Sequence, residues 1–519
     1  MFRVCFTGLL LAACSVPQLW SAEDARPILT PKPPLAAKIN GPTVYGARPG
    51  HPFLYRVPCT GERPIRFAAQ GLPSSLHLDP DTGIVTGTTP DKPGEYAVTL
   101  LAANAKGKSS RLFRIVVGDT LALTPPMGWN SWYIHFDHVT DKMMRQAADA
   151  MISSGMADFG YQYVNIDEGW TREPASNDPN VGGEPRDKDG VMRTKGSFPD
   201  MQALADYIHS KGLKAGLYSS PGVLACGHHA GSYQHEEIDA RTFAAWGFDF
   251  LKYDWCYYKD VAPKNPTVAD FRKPYDLMGG ILKDQDRDIV FNLCQYGMGD
   301  VWAWAPDAGA NSWRTTDDLG AAKATRLPGF YSIAFANASH ASYAGPGHWN
   351  DPDYILIGTV GNKFVPGEDP NDPKAPTTLT PDEQYSYMSM WALMASPLFF
   401  SGDMAQLDDF TLGILCNSEV IDVDQDALGW QARVVRNSAD EWILEKPLED
   451  GSVALGLFNL SESTRKMSVS LTELGLKGSR NMRDLWRQND LGPISASLSQ
   501  EVAPHGVSLV RLSSIPKGR

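Results

Sequence analysis

The run Phe250-Leu251-Lys252-Tyr253-Asp254-Trp255-Cys256 reads as an apolar strand that stops in a carboxylate flanked by two aromatics and a cation. A buried ionised carboxylate is costly unless it is paired, so an acid at a strand end is a candidate for chemistry. Further along, Ser312-Trp313-Arg314-Thr315-Thr316-Asp317-Asp318 has the same shape. If both strands belong to one parallel barrel, their C-terminal ends open on one face and two carboxylates meet over one pocket. Such a pair can hydrolyse a glycosidic bond: one group protonates the leaving oxygen while the other attacks the anomeric carbon or activates water. Lys252 lies two residues before Asp254 on the same strand face and is expected to keep it ionised as a nucleophile. The partner acid is expected to stay protonated through burial and neighbouring carboxylates.

The elements that must position these groups follow from the apolar pattern. Expected strands are 127–132, 163–167, 215–219, 250–254, 289–294, 312–316, 354–357 and 398–401, with helical stretches over 141–154, 201–211, 236–246, 268–283 and 382–395. This alternation from 119 to 420 predicts a (β/α)8 TIM barrel rather than an open doubly wound sheet. No Gly-rich dinucleotide fingerprint follows any of the strands, and no cofactor is expected. The polar residues at the strand ends are Asn130 and Trp132; Asp167 and Glu168; Lys252, Asp254 and Cys256; Gln295; Arg314, Asp317 and Asp318; Asp351 and Asp353. Carboxylates that accept from vicinal hydroxyls, beside an indole that stacks on a pyranose face, suit a neutral polyol. A lone acid at a strand end more often caps or pairs, and Asp317, Asp351 and Asp353 stay open between such a role and substrate contact.

The flanks have a different period. Residues 42–118 read as short alternating strands split by turns such as Asp79-Pro80-Asp81-Thr82-Gly83, an immunoglobulin-like β-sandwich expected to act as a spacer. Residues 421–519 return to short strands and predict a C-terminal antiparallel β-sandwich. Residues 23–41 are rich in Pro and Ala and read as a linker. Residues 1–22 read as an export signal with two fates left open: cleavage near Ala22 with release, or lipid anchoring at Cys14 after Leu11-Ala12-Ala13. The chain would be periplasmic, outer-surface or secreted, with no transmembrane segment.

Composition narrows the partners. A net charge of -13 over 519 residues argues against nucleic acid or an anionic membrane surface. His228, His229 and His235 lack ligand spacing with an acidic partner, so no metal site is expected. Export implies an oxidising compartment. Cys226 and Cys256 each follow a predicted strand by a few residues and favour a bridge between neighbouring loops, while Cys59, Cys294 and Cys416 are expected as buried thiols.

The runs Thr124-Pro125-Pro126-Met127-Gly128-Trp129-Asn130-Ser131-Trp132, Asn165-Ile166-Asp167-Glu168-Gly169-Trp170, Lys252-Tyr253-Asp254-Trp255-Cys256, Trp313-Arg314-Thr315-Thr316 and His348-Trp349-Asn350-Asp351-Pro352-Asp353 resemble, in order, the motifs of glycoside hydrolase family 27, the α-galactosidase and α-N-acetylgalactosaminidase family. The resemblance runs from 123 to 429, and the sandwich ahead of it looks like the immunoglobulin-like modules that precede bacterial glycosidases. It implies a cofactor-free, retaining exo-glycosidase releasing terminal α-D-galactose from oligosaccharides or glycans. The implied nucleophile is Asp254 and the implied acid/base Asp318 rather than Asp317. Arg314 and Cys256 would border the 2-position, Lys252 would reach hydroxyls 3 and 4, Trp132 would form a wall, and a loop disulfide would join Cys226 to Cys256.

Two departures bear on substrate. The family usually carries Asp where Glu168 follows Asp167, and the extra methylene pushes toward the space of the exocyclic carbon of galactose, in the direction of β-L-arabinopyranosides. Gln295 with Met298 is bulky for a 2-acetamido group, which makes an α-N-acetylgalactosaminidase the least favoured of the three. A single methylene in a pocket is worth about 1 to 3 kcal/mol. From another class, a non-catalytic glycan-binding lipoprotein is the rival, and intact carboxylates at both positions weigh against it.

Overall fold

A computed structural model describes residues 27–322, 324–361 and 374–515; the expected signal, with Cys14, lies outside the described residues. Eight parallel strands follow in chain order around one sheet: β1 Met127–Asn130, β2 Tyr163–Asn165, β3 Lys214–Ser219, β4 Phe250–Asp254, β5 Val290–Cys294, β6 Ser312–Arg314, β7 Trp349–Asp351 and β8 Leu398–Phe400. β8 pairs with β1, and a parallel bridge between Ile355 and Phe400 joins the other edge, closing the barrel.

Helices α1 Asp141–Ser153, α2 Met201–His209, α3 Glu236–Trp246, α4 Val268–Lys283, α5 Gly329–Ala338 and α6 Pro381–Leu393 run between the strands. Their starts are written in local chemistry. Thr140 and Asp200 cap α1 and α2 by accepting from Met143 N and Ala203 N. Thr267 with Asp270 and Thr380 with Glu383 form reciprocal capping boxes on α4 and α6. α5 is mostly apolar, with no polar stripe to give its period away, and was not anticipated.

Two expectations change. The seventh strand is Trp349–Asp351, not 354–357: Asp353 sits at φ 84 and turns the chain, leaving Ile355 only the closing bridge. The connection after β5 holds no α-helix, only a 3₁₀ turn at Val301–Ala303. Gly297, Gly299 and Gly309 there take left-handed φ values of 81°, 62° and 81°, which end any helical run.

The N-terminal module is two sheets around its own apolar cluster: Val44–Ala47, Gly107–Val117, Gly94–Asn104 and Arg66–Gln70 in one, Pro52–Arg56, Ile84–Thr88 and Leu76–Leu78 in the other. The stretch read as a linker is packed instead: Leu29 N donates to Tyr385 OH at 2.9 Å, Lys38 Nζ to Ser418 Oγ at 3.0 Å, and Lys38–Ile39 pairs with Cys59–Thr60. Arg48 ties the module to the barrel floor through Asp288 Oδ1 at 2.9 Å and the carbonyls of Lys283 and Arg287. At the other end, a helix Ser418–Asp424 crosses the expected boundary at 421, and the C-terminal domain is a six-stranded antiparallel sheet with a separate two-stranded one. Among the described residues no helix is long and apolar enough to cross a membrane.

Candidate active site

The strands bring the chemistry-bearing residues to one face, as the barrel geometry requires. β4 ends in Asp254, which is 5 % exposed. Its Oδ1 accepts from Tyr296 OH at 2.6 Å and its Oδ2 faces Tyr218 OH at 3.3 Å. Burial pushes its pKa up to about 7; the Lys252 ammonium pulls the other way, and the charge of Asp318 adds to the rise.

Asp318 follows β6 and is the more open of the two acids, its side chain 47 % exposed. Arg314 Nη1 lies 3.2 Å from its Oδ1, while Arg314 Nη2 pairs with Asp353 at 3.1 Å. Burial opposes the guanidinium charge, but Asp353, Cys294 and Asp318 hold its pKa well above the ordinary value. Asp254 and Asp318 therefore share one electrostatic site. The expectation of a buried proton donor is not met, because Asp318 sits at the rim.

Lys252 does not pair with Asp254. Its ammonium lies 2.9 Å from Asp167 Oδ2, which also accepts from Tyr354 OH at 3.0 Å. The rings of Tyr218 and Tyr354 flank it at 5.2 and 5.3 Å. Burial works against this charge, but Asp167 first, then Tyr354, Cys294 and Asp254, hold its pKa well above that of a free lysine.

Glu168, 2 % exposed, is held by the neighbouring loop: Oε1 accepts from Gly227 N at 2.6 Å and faces His229 Nδ1 at 3.3 Å. Cys226 and Cys256 form the expected disulfide. Both sulfurs lie within 4.8 Å of an Asp254 oxygen; being bonded to each other, they offer no thiolates to a metal. Cys59, Cys294 and Cys416 are buried and free. Trp132 is partly exposed at the rim, edge-on to Phe136 at 5.5 Å. Gln295 is fully buried, with Nε2 donating to Met298 O at 2.6 Å and Oε1 without a hydrogen-bond partner among the described residues.

Asp353, open between substrate contact and a structural role, is densely hydrogen-bonded within the protein. Its Oδ2 accepts from Tyr133 OH and Leu319 N, both at 2.7 Å, and meets Arg314; its Oδ1 accepts from Tyr354 N at 2.8 Å. With three partners on Oδ2 and one on Oδ1, it fixes Arg314 and the backbone after Asp318. Asp351 accepts from Asn292 Nδ2 and Asp353 N, one on each oxygen. Sequence reasoning missed Tyr218, Tyr296, Tyr354 and His229, whose hydroxyls and ring nitrogen meet these acids. The signal for the first two was their place at or just past a strand end, beside Ser219 and Gln295.

The family described as Alpha galactosidase A matches residues 124–426, an alpha galactosidase C-terminal beta sandwich domain matches 438–512, and an Ig domain family matches 33–118. Alpha-galactosidase 2 of Arabidopsis thaliana is 38% identical over 406 residues, 77% of this chain and 92% of its own length. A solved Bacteroides fragilis protein is similar at TM-score 0.83 and 35% identity, covering 92% of this chain and 98% of that one. A β-L-arabinopyranosidase of Geobacillus stearothermophilus is similar at TM-score 0.66 and 29% identity, covering 77% of this chain and 98% of its own. With a family match across more than half its length, the chain belongs to the α-galactosidase family, glycoside hydrolase family 27.

Proposed function

We propose that this protein is an exported, retaining α-galactosidase that removes terminal α-D-galactosyl residues from oligosaccharides or glycans by double displacement. The observation that carries the reading is the pairing of a buried carboxylate, Asp254, with a half-open one, Asp318, close enough to perturb it. Asp254 attacks the anomeric carbon as the leaving-group oxygen takes a proton from Asp318, forming a glycosyl ester. Water then displaces Asp254, giving its proton to Asp318. The rim position of Asp318 suits a group that trades protons with a departing alcohol and an arriving water. The buried Lys252–Asp167 pair supplies an ammonium donor and a carboxylate acceptor to sugar hydroxyls, and Trp132 a wall for a ring face.

Asp318→Ala tests the acid/base role. Activity on galactosides with poor leaving groups should be lost, and azide should restore turnover of a nitrophenyl galactoside with α-galactosyl azide as product. Absence of rescue, or a β-configured azide, would refute it.

Glu168 supports a second reading, β-L-arabinopyranosidase, since a pentopyranoside lacks the exocyclic carbon nearest the longer side chain. Parallel assays on nitrophenyl α-galactoside and β-L-arabinopyranoside decide between the two. Glu168→Asp should move the ratio toward galactose by about 10- to 100-fold if the methylene sets preference; an unmoved ratio contradicts that. Export rests on the leader residues 1–22, and mass spectrometry of the mature N-terminus separates a lipidated Cys14 from cleavage near Ala22.

A further inference from the structure

The two oxygens of Asp254 are not equivalent. Oδ1 accepts from the Tyr296 hydroxyl at 2.6 Å, a length typical of an ionised acceptor. Oδ2 faces the Tyr218 hydroxyl at 3.3 Å, and that single proton also has Cys256 Sγ at 3.4 Å and Glu168 Oε2 at 3.5 Å within reach. Tyr218 is thus spread over three acceptors. Tyr296 is committed to one: among the described residues its only other neighbour of this kind is the bonded sulfur of Cys226 at 4.0 Å. Burial, then the charge of Asp254, hold the Tyr296 phenol well above its ordinary pKa, so it stays a donor. Its backbone, at φ 64, occupies the left-handed region that side chains rarely adopt. Such outliers cluster where function requires them.

We propose that Tyr296 is a positioning residue for Asp254: it holds Oδ1 as the oxygen that stays a carbonyl in the glycosyl ester and leaves Oδ2 to bond the anomeric carbon. The assignment rests on Asp254 being the nucleophile. In the first step a lone pair of Oδ2 forms the bond to C1 while the C1–O bond to the leaving group breaks. The leaving oxygen keeps that electron pair and takes the Asp318 proton. In the second, water oxygen bonds C1 and passes a proton to Asp318, and the C1–Oδ2 pair returns to the carboxylate. An ester carbonyl is a weaker acceptor than a carboxylate oxygen, so the Tyr296 bond loosens on ester formation and tightens on ester breakdown. Its loss burdens the second step alone.

Asp254 is faced by Lys252 on its own strand, Asp167 after β2, Tyr218 on β3, Tyr275 on α4, Cys294 at the end of β5 and Asp318 after β6, with Glu168 one step away through Tyr218 and Arg314 through Asp318. Removing the neutral Tyr296 hydroxyl leaves that charge set unaltered. Any displacement of the acidic limb of activity then reports the lost hydrogen bond itself.

The test is Tyr296→Phe in the full chain, turned over on a nitrophenyl α-galactoside in stopped flow. We expect a nitrophenolate burst, kcat and KM falling together by about tenfold, and the acidic limb of kcat/KM rising by about one pH unit. A side chain that only packs would lower kcat without burst or limb shift, and that result overturns the assignment. Labelling by a fluorinated galactoside separates the failures. No label on Asp254 in the unaltered protein sinks the nucleophile reading, whereas label on Asp254 with a burst-free Tyr296→Phe sinks only the role of Tyr296. If the variant does not fold, a crystal structure of the unaltered fluoroglycosyl enzyme decides: an ester through Oδ2 with Oδ1 on Tyr296 supports the proposal, and an ester through Oδ1 overturns it.

Discussion

Lys252 and Asp254 stand on one strand face, yet the ammonium turns to Asp167, 2.9 Å away across the site. Residues two apart along a strand are about 6.6 Å apart, and the acid beyond the neighbouring strand is nearer. The consequence is a division of labour. Lys252 and Asp167 make a buried pair that can present both a donor and acceptors to a sugar, and Asp254 keeps a carboxylate whose charge is only partly compensated.

Lys252→Met should therefore do two things. It strands Asp167 without its cation, which costs about 2 to 5 kcal/mol for a buried hydrogen-bonded pair and lowers kcat/KM by about 30-fold or more. It also removes the main influence lowering the pKa of Asp254, so the acidic limb should move up. Steady-state kinetics across pH reads both, and a limb that stays in place would contradict the electrostatic account.

The pH profile of the unaltered protein follows from the same balance. Asp254 must be ionised to attack, and burial raises its carboxyl to about 7 against the pull of Lys252, with Asp318 adding to the rise. Because the folded value is raised, activity is fully present above it and falls as pH drops through about 7. Well below that, kcat/KM should decline by about tenfold per unit. A flat profile from pH 7 down to 5 would show that the carboxylate is ionised more easily than its burial implies.

The disulfide has a site role as well as a structural one. Cys226 precedes Gly227, whose N–H holds Glu168 at 2.6 Å, and Cys256 follows Asp254 by two residues. Cys226→Ser should lower stability by roughly 3 to 4 kcal/mol, as loop closure across a separation of 30 residues suggests. KM should rise more than kcat falls, since Glu168 loses its anchor while Asp254 keeps its strand. Thermal melting and Michaelis kinetics check it; an unaltered KM would mean the loop holds its shape without the bridge.

Much of this was legible in the residues. Asp254 could be read because it ends an apolar run that reads as a strand, whereas the choice of Arg314 and of Asp318 over Asp317 came from the resemblance, since 311–318 is mostly polar. The same logic failed at β7: Trp349–Asp351 hides a strand in polar letters because Asn350 and Asp351 are buried on hydrogen bonds to His340 O, Gln431 and Asn292. The apolar run 355–357 looks the better strand, and it buries Ile355 and Ile357 without being one. Tyr218, Tyr296 and Tyr354 carry no signal of their own, since a buried ring looks the same in sequence whether or not its hydroxyl meets a carboxylate. The role of Asp353 is not legible either, because its partners lie as far away in the chain as Tyr133 and Leu319.

The central claim is that Asp254 forms the covalent intermediate. Incubation of the folded protein with a fluorinated α-galactoside carrying a good leaving group, followed by peptide mapping, tests it most directly. The account predicts time-dependent inactivation with a single fluorogalactosyl adduct on Asp254. An adduct on another residue, or a folded protein that turns over galactosides yet never acquires one, would contradict it.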